Sequence, residues 1–206
     1  LQGRKAGSIG LASVFSFRSE KTLSGGQLGI VVTDSKGFAR RVHQLAHCGL
    51  PVDRLRFWST LPGMNFQPSH LNAALACAQL ARADDLIKAR NRVHAGWVER
   101  LADYSGITFQ AEAGMAAWWL TAIRITRAFT GLLPSDLALG LLEREIQTRP
   151  GFYGLHLLPH MNSAAECPVA DALLREILVL PSGPGITPAQ QDEVVAAIMD
   201  ITGRSA

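Results

Sequence analysis

Short apolar segments alternate with helix-like segments along this 206-residue chain, and this alternation limits the fold more than any other feature. Residues 12–17 and 29–33 are apolar, contain valine or phenylalanine, and end at small or polar residues, which predicts two strands. A helix is predicted over 36–47, because Gly49 and Pro51 would end it. Strands that alternate with helices predict a mixed α/β fold.

The middle of the chain is predicted to be irregular first and helical afterwards. Residues 50–68 contain three prolines and a glycine, which break regular structure. Ser69 looks like the N-cap of an alanine-rich helix. A longer helix begins near Asp84, with Trp97 among its apolar positions and Arg90 on its opposite, charged face. Such a helix could connect two lobes.

We therefore predict a boundary near residue 90, between a domain of residues 1–90 and a smaller α+β domain of residues 91–206. The elements predicted in the second domain are strands over 118–126 and 178–180, and helices from Ser135 to about 146, from Pro168 toward 177, and from a capping box at Thr187.

The composition is that of a folded domain, with 48% hydrophobic and 18% charged residues. No apolar run reaches the roughly 18 residues that a membrane span requires, so no membrane is expected. The net charge is +3 with acids and bases interspersed, and no basic block interleaved with aromatic residues occurs. Nucleic acid is therefore not expected as a partner.

The cysteines and histidines do not predict a metal site. The three cysteines have no CxxC spacing and are expected to be reduced, mostly buried thiols of a cytoplasmic protein. His43 and His47 are four apart, beside Cys48, so they could share a helix face. Because no third ligand accompanies them, we expect no metal.

The segment that could carry chemistry lies just after the first predicted strand. Lys21 follows that strand and precedes Ser24, Gly25 and Gly26. An amine held beside a buried strand loses part of its hydration, and a neutral amine is a nucleophile that forms a Schiff base with an aldehyde. The hydroxyls of Ser16 and Ser24 suit a phosphate. The alternative is a surface lysine in a turn. A nucleotide P-loop is excluded, because no glycine stands at the required spacing before Lys21.

The order of motifs along nearly the whole chain resembles the DegT/DnrJ/EryC1/StrS family of pyridoxal-phosphate-dependent sugar aminotransferases. The segments that carry the resemblance are Gly7-Ser8-Ile9-Gly10, Phe15-Ser16-Phe17 with Lys21, Gly29-Ile30-Val31-Val32-Thr33, Pro62-Gly63-Met64-Asn65-Phe66, Leu71-Asn72-Ala73-Ala74-Leu75 with Gln79-Leu80, Thr148-Arg149-Pro150, Leu155-His156-Leu157 and Leu180-Pro181-Ser182-Gly183.

The resemblance implies the C-terminal part of a fold type I large domain, followed by the small α+β domain. It also implies a function, the transfer of an amino group from glutamate to a nucleotide-linked keto sugar, in a homodimer. Lys21 then holds pyridoxal 5′-phosphate and moves the proton between substrate and cofactor. Ser16 matches a residue that binds the cofactor phosphate, and Asn65 lies in the loop that reaches the neighbouring subunit's phosphate, with Gln67 as a second candidate.

The resemblance places two further residues, Arg149 and His156, near the sugar-nucleotide site. For both, a structural role is equally consistent with the sequence: Arg149 could cap the preceding helix, and His156 could be a hydrogen-bonded core histidine. Two positions depart from the family pattern. Leu28 stands where the family has a glycine and could narrow the approach to the cofactor. Arg18 stands where a smaller residue or a histidine is common.

The chain starts at Leu1, without methionine, and we expect it to be a piece of something longer. The family's N-terminal half, with its phosphate loop, its ring-stacking aromatic residue and its pyridinium-binding aspartate, would lie upstream. The 206 residues alone are then expected not to complete the site. The alternative function is that of a non-catalytic, truncated homologue that acts as an interaction or regulatory module.

Overall fold

The computed structural model describes residues 3–51, 57–111, 116–126, 131–161 and 165–203. The chain divides into two compact units. One contains Leu1–Leu86 with Ala113–Met115, and the other contains Ile87–Glu112 with Ala116–Ala206. The division falls inside one helix, between Leu86 and Ile87.

The first unit contains a β-hairpin and two helices. Strands β1 (Ser13–Ser16) and β2 (Gly29–Val32) are antiparallel, and Ser16 pairs with Gly29 at the end of β1. Helix α1 (Lys36–Ala46) begins at Ser35, whose hydroxyl accepts from the Phe38 amide. Helix α2 (His70–Leu80) begins at Ser69, as predicted.

The hairpin is more exposed than the sequence predicts. Residues 12–17 are expected to form a buried strand, but Val14 is 76% and Phe15 42% exposed. The reason is that β1 and β2 form a two-stranded sheet, with no further strand paired to either of them in the described part of the chain. Phe17, directly after β1, is the buried residue, with 7% exposure.

The second unit is an antiparallel sheet packed against helices. Its strands are β3 (Ile107–Phe109), β4 (Thr121–Ile125), β5 (Arg149–Pro150) and β6 (Ile177–Leu180), in the order β3-β4-β6-β5. Its helices are α3 (Ala83–Leu101, which starts in the first unit), α4 (Pro134–Leu142), α5 (Pro168–Glu176) and α6 (Pro188–Ile201), with a 3₁₀ turn at Leu155–Leu157.

A single apolar core joins three of these helices to one face of the sheet. Alternate residues of β4 are buried, as a strand with one covered face requires. Trp97 of α3 is fully buried, and its indole Nε1–H donates to the Pro181 carbonyl at 2.9 Å. The main core side chains are Val93, Trp97, Leu101, Ile107, Ile123, Ile125, Leu137, Leu141, Leu178, Leu180, Val194, Ile198 and Met199.

Several predicted details are wrong. Ser135 does not cap α4; the helix begins after Leu133, with Pro134 in its first turn and Asp136 accepting from the Leu133 amide, and it ends at Leu142 rather than 146. Strand β4 is shorter than the predicted 118–126. Strands β3 and β5 were not predicted, because segments of three and two residues carry no periodic signal.

Arg90 is buried, although its sequence position places it on the charged face of its helix. Its guanidinium donates to the Trp119 carbonyl at 3.1 Å and to the Ser182 carbonyl. Loss of hydration lowers the pKa of Arg90. The carbonyls replace the lost water, so this arginine joins three segments of the second unit.

The cysteines are free, as predicted, but mostly not buried. Cys48 and Cys77 are exposed and Cys167 is half-buried. Cys48 follows the end of α1, in a left-handed backbone conformation with φ of 53°. Within the described ranges, no helix has the length and hydropathy needed to cross a membrane.

Candidate functional site

Lys21 lies on a closed loop that leaves β1 and returns to β2. The Phe17 amide donates to the Leu28 carbonyl at 2.8 Å, and the Gly25 amide donates to the Phe17 carbonyl at 2.7 Å. These two hydrogen bonds and the buried Phe17 ring close the loop at its base. The backbone on either side of Lys21 is therefore tied to the end of the hairpin.

Lys21 itself is half-buried, at the end of a tight turn in which its amide donates to the Arg18 carbonyl at 2.9 Å. Ser16 is exposed, at the end of β1, and its hydroxyl accepts from the Arg18 amide at 3.4 Å. Ser24 accepts from the Gly26 amide at 3.2 Å. The hydroxyls of Ser16 and Ser24 thus lie on the segments before and after Lys21.

A carboxylate stands next to this amine. The pKa of Glu20 is held below its ordinary value, first by a hydrogen bond from its own backbone amide, and further by the charges of Arg18 and Lys21. Its Oε2 lies 3.4 Å from the Arg18 Nε. Glu20 is therefore ionised at neutral pH and has no proton to donate there.

The glycines after Lys21 are held by helix α2. The Asn72 Nδ2–H donates to the Gly25 carbonyl at 2.6 Å, and the Asn72 Oδ1 accepts from the Ser69 hydroxyl at 2.5 Å. The same Ser69 oxygen accepts from the Asn72 amide at 3.2 Å and caps the helix. The link between Gly25 and Asn72 is not evident from the sequence, because the two residues are 47 positions apart. The N-cap three residues before Asn72 was the available signal.

Asn65 and Gln67, the candidates for reaching the neighbouring subunit's cofactor phosphate, are exposed on a segment docked along the end of α1. Asn65 pairs with His47 in an antiparallel bridge, and the Phe66 amide donates to the Ala46 carbonyl at 2.9 Å. The backbone of this segment is therefore fixed, while the two amide side chains stay at the surface.

Gly49 makes the close approach of that segment to α1 feasible. Its φ is +74°, and an added Cβ would lie 1.8 Å from the Leu61 carbonyl oxygen. No side chain fits in that space, so only glycine allows the segment to dock as it does.

The two predicted substrate residues, Arg149 and His156, belong to the second unit. Arg149 is exposed on β5, at the edge of the sheet, and is a strand residue. His156 is 10% exposed at its side chain, and its Nε2 lies 3.0 Å from the Asp171 Oδ1. The ring packs against Gly154, where an added Cβ would lie 2.4 Å from the His156 Cε1. One ring nitrogen of His156 is thus already engaged.

Ser16 lies at the end of β1 and Lys21 lies on the loop that follows it, while Asn65 and Gln67 lie on a second segment of the same unit. No group of three or more potential metal ligands occurs within the described ranges. The rings of His43 and His47 have their centroids 5.9 Å apart.

Comparisons with known proteins place this α/β chain among the pyridoxal-phosphate-dependent aminotransferase folds. DesI, solved in the presence of its TDP-sugar product, superposes with a TM-score of 0.87 at 29% identity, over 99% of this chain and 53% of DesI. Escherichia coli GDP-4-keto-6-deoxy-D-mannose-3-dehydratase, solved with bound hydrated PLP, shares the fold at 20% identity, with a TM-score of 0.84 over 96% of this chain and 56% of that one.

The model of the DegT/DnrJ/EryC1/StrS aminotransferase family matches residues 1–199, so the chain belongs to this family. Among curated relatives, the GDP-perosamine synthase of Caulobacter vibrioides is 31% identical over 207 residues, which cover 96% of this chain and 54% of the relative. The chain therefore spans about half the length of the curated relatives it matches.

Proposed function

We propose that this chain is the C-terminal half of a pyridoxal-phosphate-dependent aminotransferase that transfers an amino group from glutamate to a keto group on a nucleotide-linked sugar. The observation that carries the proposal is the family match over residues 1–199, together with the half-buried Lys21 on its closed loop. A nucleotide sugar is supported by two of the similar proteins, because GDP-perosamine synthase is named for a GDP-linked product and DesI was solved with its TDP-sugar product.

The chemistry of the loop fits an aldehyde that carries a phosphate. The Lys21 amine can bind the aldehyde covalently, and the hydroxyls of Ser16 and Ser24 can bind phosphate oxygens. Pyridoxal phosphate, when bound, supplies an electron sink for amino transfer. Lys21 has a second role, because its Nζ can take the proton from the reacting substrate carbon and return it.

Asn65, or Gln67 in its place, would bind the cofactor phosphate of the neighbouring subunit in a homodimer. Both side chains are exposed on a segment whose backbone is tied to α1, which suits a role across a subunit contact. The Leu28 side chain lies against Gly25, where an added Cβ would be 2.9 Å from the Leu28 Cδ2. The bulk of Leu28 is therefore accommodated against the loop.

Arg149 and His156 would contact the sugar nucleotide. The exposed guanidinium of Arg149 suits the diphosphate, because guanidinium groups bind phosphate oxygens in pairs. His156 would act through the part of its ring that Asp171 does not engage.

We also propose that a second polypeptide segment, corresponding to the upstream half of the relatives, completes the site. The exposed hairpin supports this, because Val14, Val31 and Val32 present apolar side chains at 76%, 41% and 47% exposure. Open apolar strand faces of this kind are normally covered by further structure. Three free cysteines suit a reducing compartment, so we place the protein in the cytoplasm.

Absorbance spectroscopy with matched lysine variants tests the proposal. The chain is mixed with pyridoxal phosphate, with and without a separately expressed upstream half taken from the same gene locus. We expect a visible absorbance band that borohydride removes, lost in Lys21→Arg and kept in Lys36→Arg, which changes an exposed control lysine. A chain that gives no band under either condition is the non-catalytic homologue, and the proposal is then wrong.

A further inference from the structure

We infer that Asn72 is a positioning residue for Lys21, acting through the carbonyl of Gly25. The inference rests on the proposed role of Lys21. The loop that bears this lysine is held by helix α2, which lies almost fifty residues later in the sequence.

The side-chain amide of Asn72 is oriented by Ser69. The Ser69 hydroxyl donates to its Oδ1, so its Nδ2–H group faces the Gly25 carbonyl, at 2.6 Å. The Gly25 amide, in turn, donates to the Phe17 carbonyl and closes the base of the loop. Asn72 therefore holds the residue that closes the loop, four positions after Lys21.

The two glycines leave room for this amide. Gly26 has a φ of +81°, and an added Cβ there would lie 2.7 Å from the Asn72 Nδ2. A Cβ at Gly25 would lie 3.1 Å from the Ala76 Cβ. Asn72 and Ala76 are four residues apart and share one face of α2, so this face of the helix fits closely against the glycine pair.

Helix capping does not account for the Asn72 side chain. The cap is complete with the Ser69 oxygen and the Asn72 backbone amide. The side-chain amide makes a separate hydrogen bond, outside the helix, to the half of the loop that follows Lys21. Its role is therefore to fix the loop.

The test compares the reactivity of each amine in the chain. The chain has four lysines, and Lys5, Lys36 and Lys88 are exposed, so they serve as internal references for Lys21. Acetic anhydride is applied in limiting amount to the wild-type chain and to Asn72→Leu, and peptide mass spectrometry gives the acetylation of Lys21 relative to the references. Losing the hydrogen bond is expected to change this ratio by about two- to tenfold.

Variants of the cap separate positioning from helix stability. Ser69→Asp keeps a good N-cap but has no hydroxyl to orient Asn72, whereas Ser69→Thr keeps both functions. We expect Ser69→Asp to change the Lys21 ratio as Asn72→Leu does, and Ser69→Thr to leave it unchanged. If Ser69→Asp leaves the ratio unchanged, as Ser69→Thr does, Ser69 acts only as a cap and the inference is wrong.

A matched control removes a similar amide elsewhere. Asn91 Nδ2 donates to the Ala116 carbonyl at 3.2 Å, and Asn91→Leu should leave the Lys21 ratio unchanged. The inference fails if Asn72→Leu leaves the ratio as in the wild type. Labelling with pyridoxal phosphate and borohydride in parallel tests the proposed function separately. A shifted acetylation ratio with no adduct on Lys21 would contradict the cofactor role and leave the positioning of the loop intact.

Discussion

Replacing Gly25 by alanine tests the packing beneath the Lys21 loop. The added Cβ would lie 2.9 Å from the Leu28 Cδ2, 3.1 Å from the Ala76 Cβ and 3.3 Å from the Asn72 carbonyl oxygen. Carbon atoms in contact prefer about 3.5–4.0 Å, so the Leu28 and Ala76 side chains have to move, and the contact with the carbonyl oxygen is also tight. Overpacking of this kind costs about 1–3 kcal/mol, offset by about 0.4–1 kcal/mol because alanine restricts the unfolded chain. The middle of the two ranges gives an expected net loss of about 1–2 kcal/mol.

Hydrogen exchange measures this loss at the loop itself. A loss of 1–2 kcal/mol corresponds to roughly a 5- to 30-fold increase in local opening. It should appear in peptides that contain Phe17 and Gly25, whose amides close the loop and its base. Leu28→Ala in the same chain should restore part of the protection, because it removes the nearest clash.

The control is Gly37→Ala in α1, where an added Cβ meets nothing within 4 Å. That variant should be neutral or slightly more stable, because alanine favours a helix by about 1 kcal/mol over glycine. If the amides of the Phe17 and Gly25 peptides exchange as slowly in Gly25→Ala as in Gly37→Ala, the loop is not packed closely against α2.

Three further predictions concern other parts of the chain. Trp97→Phe should lower the unfolding free energy of the second unit by about 2–4 kcal/mol, because it removes the donor to the Pro181 carbonyl and leaves a cavity. Thermal melts measure this loss, and an unchanged melting temperature would contradict it. Gly49→Ala should release the segment that carries Asn65 and Gln67, because its Cβ would overlap the Leu61 carbonyl, and amide exchange in that segment should rise. Unchanged exchange would argue against this docking. Glu20 should titrate at lower pH in the folded chain than in urea, as followed by carboxyl NMR, because its folded pKa is lowered. Its contribution to stability is therefore present above the unfolded pKa and disappears as the pH falls through the folded pKa. Equal midpoints in the folded chain and in urea would refute the backbone hydrogen bond and the neighbouring charges as causes.

The helices with strong local signals were predictable from the sequence. Thr187 and Gln190 form the capping box that starts α6, and Ser69 caps α2, as their spacing indicates. The long helix α3 follows from its apolar spacing. These elements are determined by neighbours three or four residues apart, which a single sequence displays.

Features that depend on distant partners were not predictable. Arg90 is buried because the Trp119 and Ser182 carbonyls, 29 and 92 positions away, accept from it. Nothing near Arg90 in the sequence indicates these partners. The same holds for the exposure of the hairpin, which depends on what covers its strands.

The candidate site also combines features that the sequence predicts with features that depend on distant partners. Lys21 was identified from its order among family motifs, and the structure adds the closed loop that holds its backbone. The contribution of Asn72 required the fold, because only the fold brings α2 to the glycines after Lys21. His156 illustrates the opposite case, since its pairing with Asp171 is a contact that its motif did not reveal.

The central claim is that the Lys21 amine is the covalent attachment point of an aldehyde cofactor. The most direct measurement is peptide mass spectrometry after the chain, combined with its upstream half, is loaded with pyridoxal phosphate and reduced with borohydride. We predict a reduced pyridoxal-phosphate increment confined to the peptide that contains Lys21. An increment spread evenly over Lys5, Lys36 and Lys88, or absent from Lys21, would contradict the account.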